Sequence, residues 1–312
     1  MPFIPMLHSV SYSGSWGQVV LPVEQFVTKA ARLGFQGVML MAKRPHLSVL
    51  DWDAKARSEL RSQLEKQMIQ KVCIAGYNNF TADLEHGDVP HREIQIHYIT
   101  ELARLARDLG GDLVRIFTGY EHPASSYPTQ WKLVVEVLKE CARRAGDLGV
   151  NIGVQNHHDI AVGYESLHDL IHAVNEPNCR AMFDAWAPAL QGANLIQAAQ
   201  KLAPLTLQTT VANYQRRSRY QYNAALVNYS EQVPYVQAVT IEDGFINYRE
   251  FLNALASGGF KGAVAYEMCS PLLDGGTVDV LDKYARLFLE FLDRVNKEVA
   301  ATRTEPAVQK VG

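Results

Sequence analysis

Four times along the chain, an amphipathic stretch of helical period ends in Leu-Gly or Gly-Gly and is followed at once by a short apolar run. The copies read Ala30-Ala-Arg-Leu-Gly-Phe-Gln-Gly-Val-Met-Leu, Leu105-Ala-Arg-Asp-Leu-Gly-Gly-Asp-Leu-Val-Arg-Ile, Ala145-Gly-Asp-Leu-Gly-Val-Asn-Ile-Gly-Val and Leu255-Ala-Ser-Gly-Gly-Phe-Lys-Gly-Ala-Val. Glycine suits the left-handed position just past a helix end, so Gly34, Gly110, Gly149 and Gly258 are each predicted to mark a helix-to-strand turn. Helix, glycine, strand, repeated along a chain, means parallel strands joined by crossover helices.

The apolar runs place strands over residues 3–8, 37–41, 71–77, 113–118, 151–155, 181–184, 205–211 and 262–267. Helical patterns fill the gaps, as over 52–68, 91–109, 128–148 and 278–299. Eight such units are what a closed (β/α)8 TIM barrel needs. No glycine-rich phosphate loop opens the first helix, as a dinucleotide fold would require. Residues 212–235, rich in Arg, Tyr and Asn, are too long for a simple connection and read as an insertion after strand seven, lying over the barrel mouth. Residues 301–312 lack apolar periodicity and read as a loose tail. The domain organisation predicted is one α/β barrel domain over 1–300.

Composition narrows the class. Of 312 residues, 47% are hydrophobic and 20% charged, ordinary for a globular domain with a large core. A net charge of -3 gives no reason to expect nucleic acid or an anionic membrane surface as partner. The four cysteines, Cys73, Cys141, Cys179 and Cys269, are far apart with no Cys-x-x-Cys pair, which excludes a zinc ribbon and points to a reducing compartment. With no signal-peptide pattern and no run of about 18 apolar residues, a cytoplasmic location is expected.

Chemistry enters through side-chain alternation, which in a barrel sends one parity inward and the other onto the helices. In strand five, Asn151, Gly153, Gln155 and His157 share the inward parity. In strand eight it is Ala263, Ala265 and Glu267: small residues make room, and an acid follows. Strand six delivers Asp184 at its carboxyl end. Strand seven offers Gln208 or Thr210, and strand four adds Arg115. Burying several such groups unpaired costs about 1–3 kcal/mol each, so their convergence on one mouth points to a functional site. The loop after strand two carries Lys43, Arg44 and His46 on the same face, as substrate contacts or as a solvated turn. Trp186 and the insertion's Tyr214, Arg216 and Arg217 offer a stacking surface and lid for a sugar, or a subunit contact.

The phrases Val-Arg-Ile-Phe-Thr-Gly, Val-Gln-Asn-His-His-Asp, Met-Phe-Asp-Ala-Trp and Ala-Tyr-Glu-Met make the chain similar to the xylose-isomerase-like barrels, over nearly its whole length to about Val299. These include sugar isomerases, keto-sugar 3-epimerases, dehydratases and the catalytic subunits of C-glycoside deglycosidases. The resemblance implies a Mn2+ or Mg2+ ion held by Glu, Asp, His and Glu from strands five to eight. By position those ligands fall on Gln155, Asp184, Gln208 or Thr210, and Glu267. The sequence departs from the pattern twice, with an amide for the strand-five acid and no strand-seven histidine. Two carboxylates and two neutral oxygens still suit a hard cation, held more weakly, and disfavour zinc. The loop Met41-Ala-Lys-Arg-Pro-His-Leu resembles relatives that handle keto-sugars or glycosides.

The missing acid leaves His157, on the inward parity two residues past Gln155, as the expected base, with His158 the weaker candidate and Glu267 the second catalytic group. The implied reaction is proton abstraction beside the ketone of a keto-sugar or 3-keto-glycoside, giving isomerisation or epimerisation. Expulsion of a β-substituent would instead make a lyase, as in C-glycoside deglycosidases or dehydratases, and a non-catalytic sugar-binding barrel is the third reading. A relative that cleaves abasic DNA would need a histidine-rich zinc site and a basic groove, and neither is apparent. The partner implied is a small-molecule sugar or glycoside, with a homo-oligomer or a small partner subunit both compatible.

Overall fold

The computed structural model describes residues 3–85 and 87–304. Eight parallel strands form one sheet: β1 Ile4–His8, β2 Gly37–Met41, β3 Lys71–Ala75, β4 Leu113–Ile116, β5 Asn151–Gln155, β6 Cys179–Met182, β7 Gln208–Val211 and β10 Ala263–Tyr266. The sheet runs β6-β5-β4-β3-β2-β1-β10-β7. Its two ends meet through a parallel bridge between Ala181 and Thr206, where Leu207 N donates to Ala181 O at 3.0 Å. The sheet is therefore a closed (β/α)8 barrel in a single α/β domain.

The helices lie outside, each bound by the pattern that predicted it. In α1, Val23–Leu33, the buried residues Val23, Phe26, Val27 and Ala30 recur at helical spacing, and Gly34 ends the helix at φ 104°. Helix α2, Ala54–Lys66, is capped by Asp53, whose side chain accepts from Ala56 N. Helices α3, His91–Asp108, and α4, Tyr127–Gly146, follow, the latter capped by Ser126 with a proline in its first turn. Next come α5 Tyr164–Val174, the short α6 Trp186–Leu190, α7 Leu195–Leu202 and α8 Tyr248–Ser257. In one repeat the glycine assignment shifts by a residue. Gly258 has φ -78°, and Gly259, at φ 97°, takes the left-handed turn. Gly258 is held small by packing, since a Cβ there would lie 2.5 Å from Ala203 Cβ.

Strand alternation sorts the core into two layers. Inside the barrel pack Met6, Met39, Cys73, Leu113, Met182 and Ala265. Outward residues such as Val38, Ile74, Val154 and Val264 pack with the helices in the larger core. Tyr266 of β10, for example, stacks on Phe288 with ring centroids 4.6 Å apart. The final helix α9, Val278–Thr304, runs into the stretch expected to be a tail, and residues 305–312 of that stretch lie outside the described residues. No helix among the described residues is long and apolar enough to cross a membrane.

The insertion after β7 is a two-stranded antiparallel ribbon, β8 Asn213–Asn223 and β9 Asn228–Val239. Its base is fixed by Asn213, whose Nδ2 donates to Ile241 O at 2.7 Å and Ile246 O at 2.9 Å. Farther up the ribbon Val236 lines the cavity at the mouth, and the distal arm is exposed, with Tyr220, Tyr222 and Tyr229 each more than half accessible.

Candidate active site

A cavity of about 510 Å3 opens at the carboxyl ends of the strands. His8, Lys43, Tyr77 and Arg115 line one side, and Gln155, His157, Trp186 and Glu267 the other. Parity explains the convergence: Arg115 stands two residues beyond Leu113, and Glu267 two residues beyond Ala265, both interior residues. A larger groove between α1 and residues 282 and 286 lies on the outer helical layer, away from these groups.

Asp184 sits just past β6 with both carboxylate oxygens engaged. Gln155 Nε2 donates to its Oδ2 at 2.6 Å, and Trp186 N to its Oδ1 at 3.0 Å. Asn156 locks the backbone beneath: Asp184 N donates to Asn156 Oδ1 at 2.8 Å, and Asn156 Nδ2 to Asp184 O at 3.0 Å. Asn78 clamps Phe117 N and O in the same way, at 2.9 and 2.8 Å. Burial pushes the Asp184 carboxyl up to about 6, against the hydrogen bonds from Gln155 and Trp186 and the charge of Arg115.

Glu267 keeps 16% of its side chain exposed to the cavity. Burial pushes its carboxyl up to about 7, and the nearby Asp184 adds to the rise while Arg115 opposes it. His8, at the end of β1, brings Nε2 to 3.9 Å from Glu267 Oε2. Its Nδ1 lies 3.0 Å from the carbonyl of Met39. Val10 N donates to the same Nδ1 at 3.3 Å, so the ring is anchored through Nδ1 with Nε2 turned toward Glu267. Burial, and then Arg115, hold His8 well below the usual imidazole range.

The histidine pair is arranged differently from the expected base. His158 N donates to His157 Nδ1 at 2.9 Å, and the two Nδ1 atoms lie 2.8 Å apart. His157 Nδ1 is thus an acceptor with its lone pair in use, and its proton sits on Nε2. Burial, then His158 and Arg115, bring its pKa down to about 4. His157 is a neutral donor wedged between Phe117 and Trp186, with ring centroids 4.8 and 6.0 Å away.

Arg115 is 2% exposed. Its guanidinium lies 4.0 Å over Phe117 and 4.9 Å from the Tyr77 ring, and Lys43 Nζ lies 4.1 Å from Tyr77. Arg115 Nε and Nη1, Trp186 Nε1 and Thr210 Oγ1 are buried with no hydrogen-bond partner among the described residues.

Four expected site residues lie elsewhere. Arg44 is exposed and makes a two-point pair with Asp51 at 2.6 and 2.7 Å. His46 is buried beneath the loop, between Ser9 Oγ at 3.0 Å and Leu21 O at 3.1 Å. Arg216 is exposed on the ribbon, its guanidinium 5.2 Å from the Phe245 ring. Gln208 opens β7 and lines a small cavity with Ile4, Lys71 and Gly262, at the amino end of the barrel. Register accounts for this last case, because β7 starts level with Ala263, four residues short of Glu267. His8, Tyr77 and Asn156 belong to the site and escaped the sequence reading. For His8 the signal was a histidine ending the first apolar run.

The donor set does not make the four-ligand cation site that the resemblance implies. No three His, Cys, Asp or Glu side chains among the described residues converge as metal ligands. Gln155 must turn its amide nitrogen, not its oxygen, toward the Asp184 carboxylate, so it is no ligand there. Gln208 is at the far end, and Thr210 alone remains on β7. Arg115 already places a fixed positive charge among these groups.

Comparison with known proteins agrees with the architecture. The family model described as xylose isomerase-like TIM barrel matches residues 27–289. A D-psicose 3-epimerase from Clostridium cellulolyticum H10, solved with D-tagatose, superposes with a TM-score of 0.71 at 16% identity, over 94% of this chain and 99% of that one. A xylose isomerase domain protein from Planctomyces limnophilus gives 0.69 at 18% identity, over 96% and 98%. The probable 3-DHS dehydratase AsbF from Bacillus anthracis gives 0.68 at 16% identity, over 92% and 99%. No curated protein matches the chain by sequence.

Proposed function

The chain belongs to the xylose isomerase-like TIM barrel family, and from that premise we propose that it moves a proton on the carbon beside the ketone of a keto-sugar or 3-keto-glycoside, giving isomerisation or epimerisation. The observation that carries this reading is the pair Asp184 and Glu267. Both carboxyl groups are held near neutrality, at about 6 and about 7; Glu267 lines a cavity of about 510 Å3, large enough for a sugar, and Asp184 stands behind its lining residues Gln155 and Trp186.

A proton-transfer catalyst works best with its pKa near the working pH. Glu267 meets that condition and His157, at about 4, does not, so Glu267 is the base that takes the proton. Asp184, held by Gln155, is the second acid–base group, and His157 offers its Nε2 hydrogen to a sugar oxygen. Tyr77, Phe117 and Trp186 supply apolar faces for the C–H surface of the ring. No step in this scheme passes through a divalent cation.

The test is incubation with a panel of keto-sugars in D2O, followed by NMR. Solvent deuterium appearing at the carbon beside the ketone supports the reading. A panel that binds and gains no deuterium overturns it.

A further inference from the structure

Helix α5 carries a second histidine pair, on the outer layer of the barrel. Its sequence, Tyr-Glu-Ser-Leu-His-Asp-Leu-Ile-His-Ala-Val, buries Leu167, Leu170, Ile171 and Val174. His168 and His172, four residues apart and so one above the other, fall on the side that solvent reaches. His172 is exposed and His168 half-buried, and their ring centroids lie 4.3 Å apart. The cavity at the mouth is lined by other elements, with no residue of α5 among them.

Each ring is tied through the same nitrogen. His168 Nδ1 lies 3.1 Å from Asp169 Oδ1, and His172 Nδ1 lies 2.8 Å from the carbonyl oxygen of His168. A carboxylate and a carbonyl only accept, so in the neutral rings both Nδ1 atoms carry the proton and both Nε2 atoms keep a lone pair. Metal-bound histidines are arranged in this way. The far nitrogen donates to a carboxylate or a carbonyl, which fixes the tautomer and makes the ligating nitrogen more basic. The spacing agrees as well. Two imidazoles bonded to one ion at about 2.0–2.1 Å, at right angles, have ring centres about 4.5 Å apart, and here the separation is 4.3 Å. Glu165, one turn before His168, and Asp169 add negative charge beside the pair.

We propose that His168 and His172 form a two-histidine site on α5 for a divalent transition-metal ion, Cu2+ or Ni2+, with water completing the coordination. Imidazole suits these ions, and ligands at right angles suit their tetragonal geometry. Mg2+ and Mn2+ prefer oxygen ligands and bind there far more weakly. The ion joins two successive turns of α5, so it binds the folded chain in preference to the unfolded one and stabilises it. The site is separate from Asp184 and Glu267 and stands whether or not the mouth moves a proton.

The test uses full-length, untagged protein freed of metal by chelator and then of chelator. In titration calorimetry with Ni2+, His168→Gln and His172→Gln are each expected to weaken the tightest site about 100-fold at unchanged circular dichroism, because the second imidazole binds intramolecularly. Ni2+ at 1 mM should raise the melting temperature of wild type and of neither variant. An equal concentration of Mg2+ should leave the bound Ni2+ in place. Pulsed electron paramagnetic resonance of wild type with one equivalent of Cu2+, which needs no variant, should show coupling to two imidazoles. Equal Ni2+ affinity in wild type and both variants, or loss in only one of them, overturns the proposal. Coupling to one imidazole or none overturns it too, as does tight binding that is lost in His157→Gln and kept in His168→Gln, which would place the ion at the mouth.

Discussion

Gln155 Nε2 lies 2.6 Å from Asp184 Oδ2, and this contact governs what the barrel mouth can hold. An amide at that position donates to the carboxylate and steadies it. An acid there would repel it, raise its pKa and call for a cation between the two. Gln155→Glu is therefore expected to raise the affinity for a divalent cation above that of the native chain. With 1 mM Mn2+, the melting temperature of Gln155→Glu should rise and that of the wild type should not. A rise in the wild type that Glu267→Ala abolishes would restore the cation to the native site.

The paired hydrogen bonds between Asn156 and Asp184 predict a positioning role. Asn156 is 1% exposed, so Asn156→Ala leaves two buried backbone groups unpaired, at a cost of about 1–3 kcal/mol each. Chemical denaturation should show that loss. Label exchange should fall in kcat more than in KM, because Asp184 would be displaced from the reacting carbon. Unchanged kcat alongside lost stability would leave Asn156 a purely structural residue.

Asp184 and Glu267 should make stability fall as pH rises, against the opposite contribution of His8, His46, His157 and His158, whose pKa values are lowered in the fold. Both carboxyls have folded-state pKa values above their ordinary 3.8 and 4.5, so between about 4 and 7 these two groups bind more protons in the native state than in the unfolded chain. Their contribution is present below the ordinary values and is lost as pH climbs through about 6 and 7. Glu267→Gln should flatten that decline and be the more stable protein at pH 8, by order 1–3 kcal/mol. A decline of equal steepness in Glu267→Gln would remove Glu267 as its source.

Much of the architecture was legible because the barrel writes itself in short-range terms. Period-2 alternation around Gly153, Ala263 and Ala265 marked the inward face, and Gly34 marked a helix end by its backbone freedom. Asp184 and Glu267 were legible because each ends such a run. What escaped depends on register and tautomer. Gln208 shares the inward parity with Thr210, and only the pairing of β7 with β10 shows that it lies at the other end. His157 has the right parity too, but the hydrogen bond from the backbone of His158 consumes the lone pair a base would need. Arg115 packs on Phe117, two residues on in the same run, and on Tyr77 beyond β3, and the second contact depends on strand pairing that no local pattern encodes.

The pH dependence of exchange should identify the base. With Glu267 taking the proton, the rate should rise with pH to a midpoint near 7 and then level off. Asp184's negative charge contributes to that raised value, so Asp184→Asn should move the midpoint downward as well as slow the reaction. A midpoint near 4, following His157, would return the base to the histidine pair.

The most direct measurement is the fate of a deuterium placed on the carbon beside the ketone of a sugar that the protein turns over. Wild type should lose the label to water or show a primary isotope effect. Glu267→Gln, isosteric and unable to take a proton, should keep it, with exchange slowed about 10²–10⁴-fold and sugar binding little changed. Label lost equally fast from Glu267→Gln, or turnover by wild type with the label fully retained and no isotope effect, would contradict proton transfer by Glu267 at this mouth.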